Sequence, residues 1–230
     1  SKMSSQKGEF LLNVRVKLQK DEVWAPKGFI LAEQQLALSS SKVSTPVTDK
    51  KVKIRANEIS ENILIESKVM QLTFDKGQGV ITSYKLRGTE LLEQGPKLNI
   101  WRAPTDNDGC YTNLWRHTKG RAAHEWIKAG YDKAHLLVGK VELKTVSENE
   151  IQIKVTGELN TIKSETLAVT TQEYSINGAG VIRLKTSFVP VKEKLPVLPR
   201  LGYELQLKPG YDDMSWYGRG PHENYTDRNS

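Results

Sequence analysis

The sequence predicts an all-β protein, an antiparallel sandwich with one or two short helices. Three observations carry this. Apolar and β-branched runs recur at short spacing from Phe10 to Leu207, turn residues separate most of them, and only Tyr111 to Tyr131 holds a helical pattern. At 230 residues, 37% hydrophobic and 27% charged, the chain can bury one large β domain, or a small domain plus a medium one.

The elements follow in order. Leu12 to Leu18 alternates apolar and polar residues, as a half-buried strand does. Phe29 to Leu38 is a second apolar-rich strand, reached through the Pro/Gly corner Trp24-Ala25-Pro26-Lys27-Gly28. Two strands alone are not stable in water, so this pair is expected to be the end of a larger β domain whose other strands lie upstream. Ser39 to Asp49 is polar, rich in Ser and Thr, and reads as a linker. Strands resume at Ile63–Ser67 and Met70–Phe74, turn at Asp75–Gly79, and continue through Val80–Leu86, a turn at Arg87-Gly88, and Glu90–Leu92. This is an antiparallel meander. Asn113–Arg116 predicts one helical turn, and Arg121–Ala129 a short helix stopped by Gly130. Val141–Thr145, Glu150–Thr156, Thr166–Ile176, Val181–Val189 and Leu201–Leu207 are strand-like, with Asn177-Gly178 as a hairpin turn and Pro190, Pro196 and Pro199 bracketing a break. No internal repeat or coiled-coil heptad is present.

The formal charge of +7 raises the question of nucleic acid. Residues 1–56 hold 11 Lys/Arg against 5 Asp/Glu, and residues 57–230 hold 23 against 22. The excess therefore sits in the first strand pair and the linker, and the body lacks the basic footprint of a nucleic-acid domain. One cysteine, Cys110, excludes an intrachain disulfide. No apolar run approaches the roughly 20 residues that span a bilayer. Ser1–Gln6 shows no secretion signal, which leaves a bacterial cytoplasm and periplasm both open.

Two polar segments stand out against the β background. The first is Trp101-Arg102-Ala103-Pro104-Thr105-Asp106-Asn107-Asp108-Gly109. The second is Trp216-Tyr217-Gly218-Arg219-Gly220-Pro221-His222-Glu223-Asn224-Tyr225-Thr226-Asp227-Arg228. Planar donors and acceptors beside aromatic faces suit sugar hydroxyls and the C–H face of a sugar ring. The candidate substrate-binding residues are therefore Trp101, Arg102, Asp106, Asn107, Asp108, Arg219, His222, Glu223 and Asn224. The same residue types also build turns, and Arg102 or Arg219 could anchor such a loop by pairing with Asp106, Asp108 or Glu223. Asp106 and Asp108, one residue apart in a turn, do not suit a glycosidase pair flanking a bond about 5 Å apart. His117 and His124 could share a helix face, but no metal-ligand spacing supports a site. Cys110 has no nucleophile motif. Gly218-x-Gly220 opens no helix and is not a dinucleotide loop.

Taken together, the two segments resemble family 2 glycoside hydrolases. Arg102-Ala103-Pro104-Thr105-Asp106-Asn107-Asp108 and Gly218 to Arg228 resemble two signatures of the C-terminal domain of the family's β-galactosidases. Trp126-Ile127-Lys128-Ala129-Gly130 is similar to the end of that domain's short helix. Trp24 to Gly28 and Glu33-Gln34-Gln35 resemble the last strands of the preceding immunoglobulin-like domain. The resemblance implies that residues 1–41 close a partial immunoglobulin-like sandwich, 42–57 link, and 58–230 form the front of a galactose mutarotase-like supersandwich. It further implies that the two catalytic Glu residues lie in an upstream (β/α)₈ barrel, so this segment is expected to be inactive alone and to hold no catalytic residue and no metal. Any Mg or Na of the parent enzyme would sit in other domains. Expected partners are the galactoside, through the parent, and further copies in a homo-oligomer, with neither nucleic acid nor membrane. The alternative is a stand-alone carbohydrate-binding or aldose-epimerase-like module. An epimerase needs an acid and a base across a cleft, whereas His222 and Glu223 are adjacent and would point to opposite faces of a strand.

Overall fold

A computed structural model describes residues 10–39, 52–109, 120–162, 165–191 and 193–215. The chain divides into two compact units, residues 1–47 and 48–230.

The first unit is a hairpin of β1 (Phe10–Lys17) and β2 (Ile30–Ser39). Opposed residues share a face in an antiparallel pair, and here the two faces differ. Leu12 opposes Leu36, Val14 opposes Gln34 and Val16 opposes Ala32 on an apolar face. On the other face, Gln35 donates to Asn13 at 2.8 Å and Arg15 pairs with Glu33 at 3.0 Å. Leu12, Val14, Val16 and Leu36 all stay exposed. In the connection, Gly28 at φ +90° donates to the Leu18 carbonyl at 2.9 Å, and Trp24 stands edge-on to Phe29.

The second unit is the all-β antiparallel sandwich expected from the sequence. One sheet has the order β3-β4-β5-β6-β7, from β3 (Ile54–Ile59), β4 (Asn62–Ser67), β5 (Met70–Asp75), β6 (Val80–Leu86) and β7 (Thr89–Glu90). The other has the order β12-β11-β10-β9, from β9 (His135–Ser147), β10 (Glu150–Asn160), β11 (Thr166–Asn177) and β12 (Ile182–Pro190). A further pair joins β8 (Leu92–Asn99) to β13 (Gly202–Leu207). The short helix α1 is Ala122–Lys128, closed by Gly130 in the left-handed region at φ +76°.

Period-2 burial builds the core between the sheets. Ile63, Ile65, Met70, Leu72 and Phe74 meet Ile151, Ile153, Val155, Tyr174 and Ile176. Phe74 and Tyr174 pack edge-to-face at 5.2 Å. A second core gathers Ile100, Ala123, Trp126, Tyr131, Leu159, Leu167 and Ala168 around α1. Thr170 and Gln172, both buried, stand on β11 between the residues of the two cores. The Gln172 amide oxygen accepts from the Tyr203 hydroxyl at 2.8 Å and the Tyr174 hydroxyl at 3.3 Å.

Four details differ from the sequence reading. β3 starts at Ile54, inside the expected 42–57 linker, because Ile54 packs into the core. β8 has no counterpart in the sequence reading, which ends the meander at Leu92; it runs through Gly95-Pro96, and at Gly95 a Cβ would lie 1.6 Å from the Ile81 carbonyl oxygen, so only glycine admits the crossing of β8 past β6. β9 begins six residues earlier than its strand-like core at Val141. In the β11–β12 turn the left-handed residue is Gly180, at φ +90°, while Gly178 is required for space: a Cβ there would lie 1.9 Å from the Val52 carbonyl oxygen. Cys110, the expected turn at Asn113–Arg116, and the whole Trp216–Arg228 segment lie outside the described residues.

Candidate functional site

The segment Trp101–Gly109 leaves β8 as an irregular stretch and is held by side chains from end to end. Asn99 begins it, accepting the Trp101 N–H at 2.7 Å. Asp106–Asp108 then forms a single 3-10 turn, with Gly109 at φ +93° donating to the Asp106 carbonyl at 2.9 Å. Gly109 also lies against Arg121, where a Cβ would come within 2.8 Å of the Arg121 Cβ. Local chemistry favours this turn: Thr105 precedes it, and the Asp108 carboxylate reaches back to accept the Thr105 N–H at 2.8 Å and hydroxyl at 3.0 Å.

Arg102 and Asp108 form a fork-to-fork pair, Nη1 to Oδ2 at 2.5 Å and Nη2 to Oδ1 at 3.0 Å. Arg102 Nε donates to the Pro199 carbonyl at 3.1 Å, and its guanidinium carbon sits 5.0 Å from the Trp126 ring centre. Trp126 stands edge-on to Trp101 at 6.4 Å and donates its Nε1 proton to the Val197 carbonyl at 2.8 Å. The Tyr131 hydroxyl donates to the Pro196 carbonyl, also at 2.8 Å. Three side chains thus fasten the strap from Pro196 to Pro199, and one of them fastens the Asp106–Asp108 turn as well. The strap walls an open groove of about 400 Å³ lined by Phe188, Pro190, Val191, Glu193, Leu195, Pro196 and Leu198.

Burial works to raise the Asp108 carboxyl, but the Arg102 and Thr105 hydrogen bonds and the Arg102 charge outweigh it and hold the group below the ordinary carboxylate range. Asp108 is therefore a locked anion. Asp106 and Asn107 are exposed at the tip of the turn, and their side chains make no hydrogen bond among the described residues. Trp101 is half-buried.

Of the sequence-derived candidates, the fold brings together Trp101, Arg102, Asp106, Asn107 and Asp108, while Arg219, His222, Glu223 and Asn224 lie outside the described residues. Of the two partners considered for Arg102 nearby in sequence, Asp108 takes the role and Asp106 does not. Sequence reasoning missed Tyr131 and the strap carbonyls of Pro196, Val197 and Pro199, since a backbone acceptor has no residue signature. Proline spacing at Pro196 and Pro199 marked the break but not its use. Among the described residues no group of three or more His, Cys, Asp or Glu could hold a metal ion, and no helix is long and apolar enough to cross a membrane.

Comparison with known proteins accounts for both units. A family model described as β-galactosidase small chain matches residues 66–230, and one described as β-galactosidase, domain 4 matches residues 1–39. The chain is similar to proteins named β-galactosidase from Psychromonas ingrahamii (32% identity over 96% of this chain and 21% of the relative) and Priestia megaterium (30% over 96% and 20%). A third, from Clostridium acetobutylicum, is 29% identical over 96% of this chain and 23% of its own length. The chain spans about a fifth of the length of these relatives.

Proposed function

The chain belongs to the β-galactosidase small-chain family, and from that premise we propose that it is the non-catalytic portion of a retaining β-galactosidase acting on terminal β-D-galactosides. A retaining enzyme sets two carboxyl groups about 5–5.5 Å apart, one to attack the anomeric carbon and one to protonate the leaving oxygen. Asp108 does not suit the proton-donor role, because its carboxylate is ionised and already engaged by Arg102 and Thr105. The reacting carboxyls would belong to another part of the parent polypeptide.

The role left to this chain is to shape the mouth of the active site and to support contacts between domains and subunits. One observation carries the reading: the Asp106–Asp108 turn is fastened from below by Arg102, and its tip holds two exposed planar polar groups, Asp106 and Asn107. A turn held in this way lowers the backbone ordering cost of binding, and exposed acceptors and amide donors suit sugar hydroxyls.

The test has two arms. The purified chain is expected to show no turnover of a nitrophenyl galactoside; turnover would refute the reading outright. In a galactosidase that contains this segment, Asp106→Ala and Asn107→Ala are expected to raise KM several-fold with kcat little changed. If neither constant moves, the turn does not face substrate. Tight galactose binding by the chain alone, followed by NMR titration, would replace this reading with a stand-alone carbohydrate-binding module.

A further inference from the structure

The four-stranded sheet ends on both sides in long strands, β9 and β12, and their free edges differ in charge. β12 turns Arg183 and Lys185 to solvent, and Pro190 ends it. Two copies of that edge would meet with like charges. β9 spans 13 residues and turns Lys140, Glu142 and Lys144 outward, with Val141 and Leu143 half-buried toward the core. Register shifts at Gly139 and Val146 interrupt it, leaving Lys140 to Thr145 regular. Among the described residues no backbone hydrogen bond reaches β9 from any strand but β10. A regular, uncovered edge is a template for another strand.

Symmetry restricts the registers. In a two-fold antiparallel pair, residues that face each other must share a side of the sheet. Centring on Glu142 would set Glu142 against itself and Lys140 against Lys144, which is repulsive. Centring on Val141 would need the interrupted stretch at Gly139. Centring on Leu143 stays within the regular run: Leu143 meets itself, Val141 meets Thr145, and Glu142 meets Lys144 on both sides of the axis. Lys144 has an exposed charge that its own sheet leaves unanswered, since its neighbour on β10 is the neutral Gln152 and no ion pair engages it among the described residues. Glu142 holds Lys140 at 2.7 Å within the chain and faces Lys154 on β10, so it stays an anion on the exposed side of the edge.

We propose that the β9 edge is a self-association surface, pairing antiparallel with β9 of a second copy about Leu143 and joining two four-stranded sheets into one. The inference rests on the edge alone and is independent of the galactosidase reading. A single strand edge buries less than the roughly 1,200 Å² of a standard interface, so the association is weak.

Sedimentation equilibrium of the 230-residue chain up to about 1 mM tests it, the concentration that reads millimolar affinity. The wild type is expected to dimerise. Glu142→Lys and Lys144→Glu should each weaken the dimer about tenfold or more by placing like charges across the axis. The double exchange E142K/K144E should restore it, because the crossed pairs re-form with signs reversed. Circular dichroism checks that the exposed substitutions leave the fold intact. A monomeric wild type would overturn the proposal. So would a dimer indifferent to both single changes, which would assign association to another surface such as the apolar face of the β1–β2 hairpin, or a double exchange that fails to rescue.

Discussion

The two cores of the larger unit share β10 and β11 yet are closed by different means. Between the sheets, closure is mutual: Ile63, Ile65, Phe74, Ile151, Ile153, Tyr174 and Ile176 are all fully buried and cover one another. Around α1, an apolar centre of Trp126, Tyr131 and Leu159 is finished by polar donors that reach backbone carbonyls, with Arg102 laid on the indole face. The first kind of closure needs only the right hydrophobic pattern and tolerates exchange of one apolar residue for another of similar volume. The second depends on particular atoms, because each donor has one acceptor and its loss leaves a group unpaired. Stability should therefore be concentrated between the sheets and geometry around α1.

The largest effect should follow from breaking the mutual closure. Phe74→Ala removes a fully buried ring that packs on Tyr174, and truncations of this kind cost about 3–5 kcal/mol. Urea unfolding should show a lower midpoint. If instead Phe74→Ala cost no more than a surface change, the inter-sheet core would not be the main source of stability.

A smaller effect, differently distributed, should follow from breaking the fork. Asp108→Asn leaves shape intact but removes the anion from Arg102 and Thr105, at a cost of about 1–3 kcal/mol. The change should appear first as faster proteolysis or amide exchange around residues 102–109, with the Phe74 region still protected. Acid should imitate it. The Asp108 carboxyl is held below its unfolded value, so its contribution is present above about pH 3.9 and is lost as pH falls through the lower folded value. Asp108→Asn should flatten that part of the stability-against-pH curve. Equal loosening of both cores would merge them into a single cooperative unit.

The two kinds of closure also differ in how readily a sequence announces them. Alternation over Ile63–Phe74 and Glu150–Ile176 made the sandwich readable, since period-2 patterning and burial are the same fact seen twice. Gly95-Pro96 hid β8 because a glycine needed for close approach to Ile81 looks like a turn residue. Asn177-Gly178 correctly marked a hairpin, but Asn177 caps it through its own side chain, accepting from Ala179 and Val181, while Gly180 supplies the positive φ. In the polar segment, residue types alone favoured loop anchoring over sugar contact for Arg102, Asp106 and Asp108 without saying which residue anchors. Only geometry separates the anchored Asp108 from the exposed Asp106. Glu90 illustrates the same blindness: its carboxylate accepts the Tyr84 and Leu92 N–H groups and the Ser83 hydroxyl, pinning the β6–β8 corner, and nothing in Thr89-Glu90-Leu91 advertises it.

The finest test places one tyrosine in each core side by side. Burial pushes the phenols of Tyr174 and Tyr131 above the ordinary value, Tyr174 the further of the two with the Tyr203 charge adding to it. A phenol kept neutral by the fold contributes stability that is present below its unfolded value of about 10 and is lost as pH rises toward the folded one. Both cores should therefore weaken above pH 10. Tyr131→Phe removes the hydrogen bond to Pro196 and should cost about 0.5–1.5 kcal/mol at neutral pH, while flattening the alkaline loss by its own share. In Tyr174→Phe the hydroxyl lost makes only long bonds, 3.4 Å to Gly79 and 3.3 Å to Gln172, so the neutral-pH cost should be smaller and the alkaline rescue larger. Thermal melts at pH 7 and pH 10.5 compare the pair. A neutral-pH ranking reversed between the two variants would mean that the Trp126 core, like its neighbour, is closed by packing rather than by its donors to the strap.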